Sequence, residues 1–158
     1  MSPEEKILPL GSLSEACRAR RAEGKTVVLT SGCFDLLHGG HLHYICDAGE
    51  LGFLVVGINS DQFVKRLKGE NRPIRDQSDR AFLMAGFYPV QLVIIFDDDY
   101  ELIRAVVPHI YVASATSHVR VWEDTQRIAL LEELGSQVIE IESKKQDSTT
   151  DIIRRSAR

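Results

Sequence analysis

A chain of 158 residues, 44% hydrophobic and 27% charged, is long enough to close one core that buries roughly 70% of its unfolded surface without a metal or a disulfide scaffold. Nineteen basic against 23 acidic side chains give a formal net charge of -4, which argues against non-specific nucleic-acid binding. No apolar run approaches the roughly 20 residues that span a bilayer, and the N-terminal MSPEEKILPLGSL carries acids where a signal peptide carries bases, so the expected location is cytoplasmic. Cys17, Cys33 and Cys46 are odd in number and lack zinc-like spacing, and they read as reduced thiols.

In chain order, Ser12 and Glu15 have capping-box spacing. They predict a short helix through Arg21 that ends at Gly24, an N-terminal helical extension over residues 1–25. Residues 26–158 form the rest of a single domain. There, β-branched runs at 26–30, 53–59, 91–96, 109–113 and 137–141 predict strands, several apolar along their whole length as strands buried on both faces should be. The intervening stretches have helical spacing: Leu42, Ile45 and Cys46; Phe82, Leu83 and Phe87; Leu102, Ile103, Val106 and Val107 before Pro108; and Ile128, Leu131 and Leu134 before Gly135. The hydrophilic stretch 65–79 is the one long connection expected to move. This alternation predicts an α/β fold, a doubly wound parallel sheet of about five strands with helices on both faces, plus the N-terminal helix.

The first predicted strand runs into Ser31-Gly32-Cys33-Phe34-Asp35-Leu36-Leu37-His38-Gly39-Gly40-His41. Open α/β sheets bind ligands outside the carboxyl ends of their strands, and a helix N-terminus there offers unpaired N–H groups to an anion. Gly32, Gly39 and Gly40 let backbone approach a phosphate. His38 and His41, three apart, can project to one side of the helix start and donate to phosphate oxygens.

The run GCFDLLHGGH resembles the GxFDxxHxGH signature of the nucleotidyltransferases related to cytidylyltransferases, whose HxGH element is akin to the HIGH motif of class I aminoacyl-tRNA synthetases. Asn59-Ser60-Asp61, Lys65-Arg66-Leu67-Lys68-Gly69, Arg72-Pro73, Asp79-Arg80 and Ser148-Thr149-Thr150 follow in that family's order. The run through KRLKG and RP looks most like the D-glycero-β-D-manno-heptose 1-phosphate adenylyltransferases. The resemblance implies a Rossmann-like fold and an enzyme that condenses a nucleoside triphosphate, ATP more than CTP, with a sugar phosphate or similar phosphorylated acceptor, releasing pyrophosphate. It implies Mg2+ carried on the nucleotide phosphates without fixed protein ligands, a homodimer, and neither nucleic acid nor membrane as partner.

By the same resemblance, His38, His41 and Lys68 are the catalytic set, stabilising charge on the α-phosphate and the bridging oxygen. Ser31, Gly32, Cys33, Phe34, Gly40, His41, Lys65, Ser148, Thr149 and Thr150 bind the nucleotide. Asp35, Asn59, Asp61 and Arg80 serve the acceptor. After the fourth strand, where the heptose enzymes have a Lys-Gly-Gly-Asp-Tyr run, residues 113–118 read Ala-Ser-Ala-Thr-Ser-His. Two alternatives therefore stay open: a nucleotide-binding protein of altered catalytic competence, and a cytidylyltransferase acting on a small alcohol phosphate. A metal site of Asp35, His38 and His41 is a further alternative for the same residues. His43, His109 and the run Asp97-Asp98-Asp99 read as structural, the acids as helix-start residues.

Overall fold

The five apolar runs become, in a computed structural model that describes residues 1–115, 121–142 and 149–156, strands β1 (Val27–Gly32), β2 (Phe53–Asn59), β3 (Val90–Phe96), β4 (Ile110–Ser114) and β5 (Gln137–Ile141). All pair in parallel, in the order β3-β2-β1-β4-β5. Around them run helices α1 (Pro3–Lys6), α2 (Leu10–Ala22), α3 (Gly39–Gly49), α4 (Asp61–Lys68), α5 (Gln77–Ala85), α6 (Asp99–Val106), α7 (Thr125–Glu133) and α8 (Thr149–Ser156). The chain winds outward from β1 through β2 to β3, then crosses back to β4 and β5. Right-handed crossovers in opposite directions place their helices on opposite faces.

The side-chain alternation of the strands divides the core accordingly. Val27, Leu29, Val55, Leu92 and Ile94 face one way, under α2, α6 and α7; Val28, Leu54, Val56, Ile58 and Val93 face the other, under α3 and α5. A bulge between Leu54 and Val55 shifts the β2–β3 register at Gln91, whose side chain accepts the Leu54 N–H at 2.6 Å and so satisfies the displaced donor. Among the described residues no helix is long and apolar enough to cross a membrane.

Gly57 in β2 is glycine because of what lies above it. A Cβ there would meet Leu102 Cδ2 of α6 at 2.7 Å and Phe96 Cε1 at 2.9 Å. Gly57→Ala is expected to cost about 1–3 kcal/mol by overpacking, measured by urea denaturation.

Three local expectations shift. The N-terminal helix starts at Leu10 behind Pro9, so Ser12 lies inside its first turn and is not its cap. This helix is also part of the core: Leu13 and Cys17 are fully buried, and α2 packs on α6, while Leu8 donates to the Val93 carbonyl at 2.9 Å on the edge of β3. β1 extends to Gly32, two residues past the predicted end. The stretch 65–79 is helical at both ends, 65–68 closing α4 and 77–79 opening α5, and the connection shrinks to residues 69–76. Ser60 caps α4 by accepting the Phe63 N–H at 3.1 Å, buried Val64 anchors it, and Asp76 caps α5. Lys65 and Lys68 therefore stand on a helix and not on a loop.

Candidate active site at the carboxyl ends of β1 and β4

Strand order reverses between β1 and β4, and a crevice opens at their carboxyl ends, where doubly wound sheets hold ligands. The segment 31–41 leaves β1 there. Its turn is made by Phe34, held at φ +45°, a left-handed conformation that a bulky residue adopts only when its surroundings enforce it. The ring folds back over Gly32, where a Cβ would sit 3.1 Å from Phe34 Cε2, and meets His41 edge-on with centroids 5.3 Å apart. Glycine at 32 is what lets that ring close down.

Behind the turn, α3 begins. Ser60, Asp76, Asp98 and Asp124 cap α4, α5, α6 and α7 with side-chain oxygens, whereas α3 starts at His38 with no side-chain cap. Its first N–H groups and the positive end of its dipole thus have no N-cap side chain against them. The His38 and His41 rings stack with centroids 3.8 Å apart, so both imidazoles lie on the same side of the helix start. His41 Nδ1 is buried with no partner among the described residues. Burial first, then His38 and the charge of Lys68, push the His41 pKa down to about 4. The imidazole is thus neutral at pH 7, in a setting that a bound polyanion would reverse.

Lys68 also acts on Cys33, opposing the burial that raises that thiol above its usual range. Lys65, exposed on the preceding turn of α4, has no such influence on either group. Of the two lysines, Lys68 is the one whose charge acts on His41.

Asp35 and Arg80, both buried, tie the segment after β1 to the rest of the fold. Asp35, 2% exposed, accepts from Arg72 Nε at 2.6 Å and from the backbone N–H groups of Ile74 and Arg75 at 2.8 and 3.1 Å. Its carboxylate is occupied by the segment that links α4 to α5. Arg80 is fully buried and donates to four oxygens: the carbonyls of Cys33 (2.6 Å), Asn59 (2.8 Å) and Arg75 (3.0 Å), and Asp61 Oδ1 (2.8 Å). One guanidinium therefore ties the turn after β1, the end of β2, the start of α4 and the linker to α5. Among the described residues no three His, Cys, Asp or Glu side chains converge on a metal position, so Asp35, His38 and His41 do not assemble as one.

From the opposite side, Thr149 at the start of α8 donates to the Leu36 carbonyl at 3.1 Å, fastening that helix to the segment 31–41. Thr150 beside it is exposed. Ser148, Thr116 to His118 and residues 143–145 lie outside the described residues. Asp98 caps α6, Ser60 donates to Asp97, and His109 Nδ1 accepts the Val27 N–H at 3.0 Å.

Two groups near the crevice have no signal in the sequence. Tyr44 of α3 donates to the Val112 carbonyl of β4 at 3.1 Å and lies 2.6 Å from Thr30 Oγ1, joining α3 to both central strands. Arg127 of α7 reaches Asp99 at 3.0 Å and Asp124 at 3.3 Å beside Ser31. The Asp99 pair spans 28 residues, beyond any local spacing rule.

Comparison with known proteins agrees with this fold. The cytidylyltransferase-like family model matches residues 29–155. Similar curated proteins include the bifunctional protein HldE of Wolinella succinogenes, 46% identical over 112 residues (69% of this chain, 24% of that protein). HldE of Trichlorobacter lovleyi is 41% identical over 157 residues (96% and 31%). The chain thus spans about a quarter to a third of the length of these relatives. Among solved structures, the lipopolysaccharide core biosynthesis protein from Thermoplasma volcanium superposes with a TM-score of 0.64 at 28% identity, covering 78% of this chain and all of that one. Pantoate-beta-alanine ligase from Francisella tularensis superposes with a TM-score of 0.63 at 12% identity, over 96% and 76%, a likeness of fold. With its crevice at the strand reversal, its histidine pair at an uncapped helix start and a family match over most of its length, the chain belongs to the cytidylyltransferase-like family of nucleotidyltransferases.

Proposed function

We propose that the protein transfers a nucleotidyl group from a nucleoside triphosphate, ATP in preference to CTP, to a sugar phosphate, releasing pyrophosphate. The observation that carries this reading is the stacked His38–His41 pair at the uncapped start of α3, with the charge of Lys68 acting on His41. An acceptor phosphate oxygen attacks the α-phosphorus, the bond to the bridging oxygen breaks, and pyrophosphate leaves. No protein nucleophile is required, because such transfers depend on positioning and on stabilising charge over the phosphoryl oxygens.

In this reading the triphosphate seats on the first N–H groups of α3, with Gly32 and Gly40 permitting close approach and Ser31, Cys33 and Phe34 forming the wall. His41 takes up a proton as the polyanion arrives and donates to the α-phosphate, His38 donates to the bridging oxygen, and Lys68 neutralises the leaving phosphates. Lys65, Thr149 and Thr150 are assigned to the phosphate path, and by the family resemblance Ser148 as well. Asp35 and Arg80 serve the acceptor indirectly, by fixing the segment 72–75 and the ends of β1 and β2; Asn59 and Asp61 lie on that same frame. A divalent cation such as Mg2+, carried in with the nucleotide and without fixed protein ligands, would supply further charge neutralisation. The sugar-phosphate acceptor is supported by the resemblance to the heptose enzymes, and the homodimer is part of the same proposal.

The lysines give a direct check. Lys68→Ala is expected to weaken triphosphate binding by roughly tenfold or more, as loss of a charge-assisted contact does. Lys65→Ala, on the exposed turn, should weaken it by less than roughly threefold. Thermal shift with ATP, CTP and GTP plus Mg2+ measures both, since a ligand of the folded state raises its stability with concentration. Pyrophosphate release dependent on an added sugar phosphate then identifies the acceptor. No nucleotide binding by the unmodified chain would reject the proposal.

A further inference from the structure

A polar pocket opens between the carboxyl ends of β1 and β4, with Ser31, Tyr111, Ser114 and Arg127 in its lining. Arg127 comes from α7 and is only 14% exposed; Asp99 and Asp124 hold its terminal nitrogen at 3.0 and 3.3 Å. Its Nε–H is buried with no partner among the described residues, an arrangement that native structures rarely leave standing unless another group completes it. Ser31 Oγ lies 3.4 Å from Asp99 Oδ1 and 3.3 Å from the Tyr111 hydroxyl. Both distances are long for bonds between oxygens, which favour 2.5–3.0 Å, so the Ser31 hydroxyl is loosely held and can re-aim.

Charge decides what the pocket takes. Two aspartates against one arginine leave a formal charge of -1 around it, which repels a phosphate or carboxylate and suits a neutral, hydroxyl-rich group. Position decides which one. Ser31 directly precedes Gly32, where the phosphate-binding segment begins, and in a nucleoside triphosphate the group one methylene away from the α-phosphate is the ribose. We propose that Arg127, aimed by Asp99 and Asp124, is a specificity-determining residue that donates, together with Ser31, to the ribose hydroxyls of the nucleotide. This inference rests on the nucleotidyltransferase reading above.

The test compares dissociation constants of the tighter-binding of ATP and CTP with those of its 2′-deoxy and 3′-deoxy analogues, each with Mg2+, for the full chain and for Arg127→Met and Arg127→Lys. Lysine keeps a charge between Asp99 and Asp124 while removing the Nε donor, which guards against simple unfolding. The unmodified chain should prefer the ribonucleotide over at least one analogue by roughly tenfold or more. In both variants that preference should fall below roughly threefold. A purely structural role would weaken all three ligands equally and leave the ratio unchanged. An unmodified chain without preference, or variants that keep it whole, would overturn the ribose assignment alone; an unmodified chain that binds no nucleoside triphosphate would overturn the nucleotidyltransferase reading and this assignment with it.

Discussion

Replacing His41 with asparagine is expected to lower the rate of nucleotidyl transfer by roughly 100-fold or more, the usual cost of removing a donor aimed at developing charge, with the fold retained. The half-buried ring makes one edge-on contact with Phe34 and one stacked contact with His38, and neither holds two elements of the sheet together. The same substitution should change the pH dependence of stability in a definite direction. The folded-state pKa of His41, about 4, lies below the ordinary value of 6.5. The unfolded chain therefore binds this proton more readily than the folded one between those limits. Stability is fully present above pH 6.5 and is lost as the pH falls toward 4, by roughly 3 kcal/mol at most. His41→Asn removes that loss, so the variant should gain on the unmodified protein in acid while losing activity at neutral pH. Urea denaturation at pH 7.5 and pH 4.5 measures the first effect, and pyrophosphate release the second. An acid stability profile identical in the two proteins would show that His41 is not the suppressed base described here.

Arg80→Met is expected to have the largest effect on stability, a loss of about 3–5 kcal/mol, because it takes the donor from several carbonyls at once, each worth about 1–3 kcal/mol when buried and unsatisfied. Four acceptors lose their donor at once: the carbonyls of Cys33, Asn59 and Arg75, and Asp61. Arg80→Lys should recover only part of this, since one ammonium on a flexible stem cannot replace a planar fork that reaches four oxygens in fixed directions. Both variants should bind nucleotide more weakly, because the carbonyl of Cys33 belongs to the turn that carries Phe34 and the histidines. Chemical denaturation gives the stabilities. An Arg80→Met protein as stable as the unmodified one would mean that the tie is not what fixes the ends of β1 and β2.

The sheet was legible because its strands are covered on both faces. Residues such as Leu54, Val55 and Val56 are apolar in succession, a pattern an exposed strand could not keep. The histidine pair was legible because its spacing and its place after a strand follow local rules. Polar content misled at 65–68: α4 buries little beyond Val64 and shows water Lys65 and Arg66, so helix and hydrophilic loop look alike unless Ser60 is recognised as a cap. Ser12 misled in the opposite way, offering a capping spacing that the turn at Pro9 had already overtaken. Arg80 and Asp35 were picked out as site residues, but their buried ties to backbone atoms 21 to 47 positions away exist only once the chain is folded. The same is true of Arg127 and Asp99, which no spacing connects.

The central claim is that the crevice directs attack at the α-phosphorus of a nucleoside triphosphate. Phosphorus NMR of the protein with ATP, Mg2+ and a panel of sugar phosphates tests it most directly, because the products reveal which bond breaks. The account predicts pyrophosphate together with a new nucleotide-sugar diphosphate resonance pair, formed only when the acceptor is present and greatly slowed in His41→Asn. Accumulation of ADP and inorganic phosphate would place the cleavage at the γ-phosphorus and contradict it.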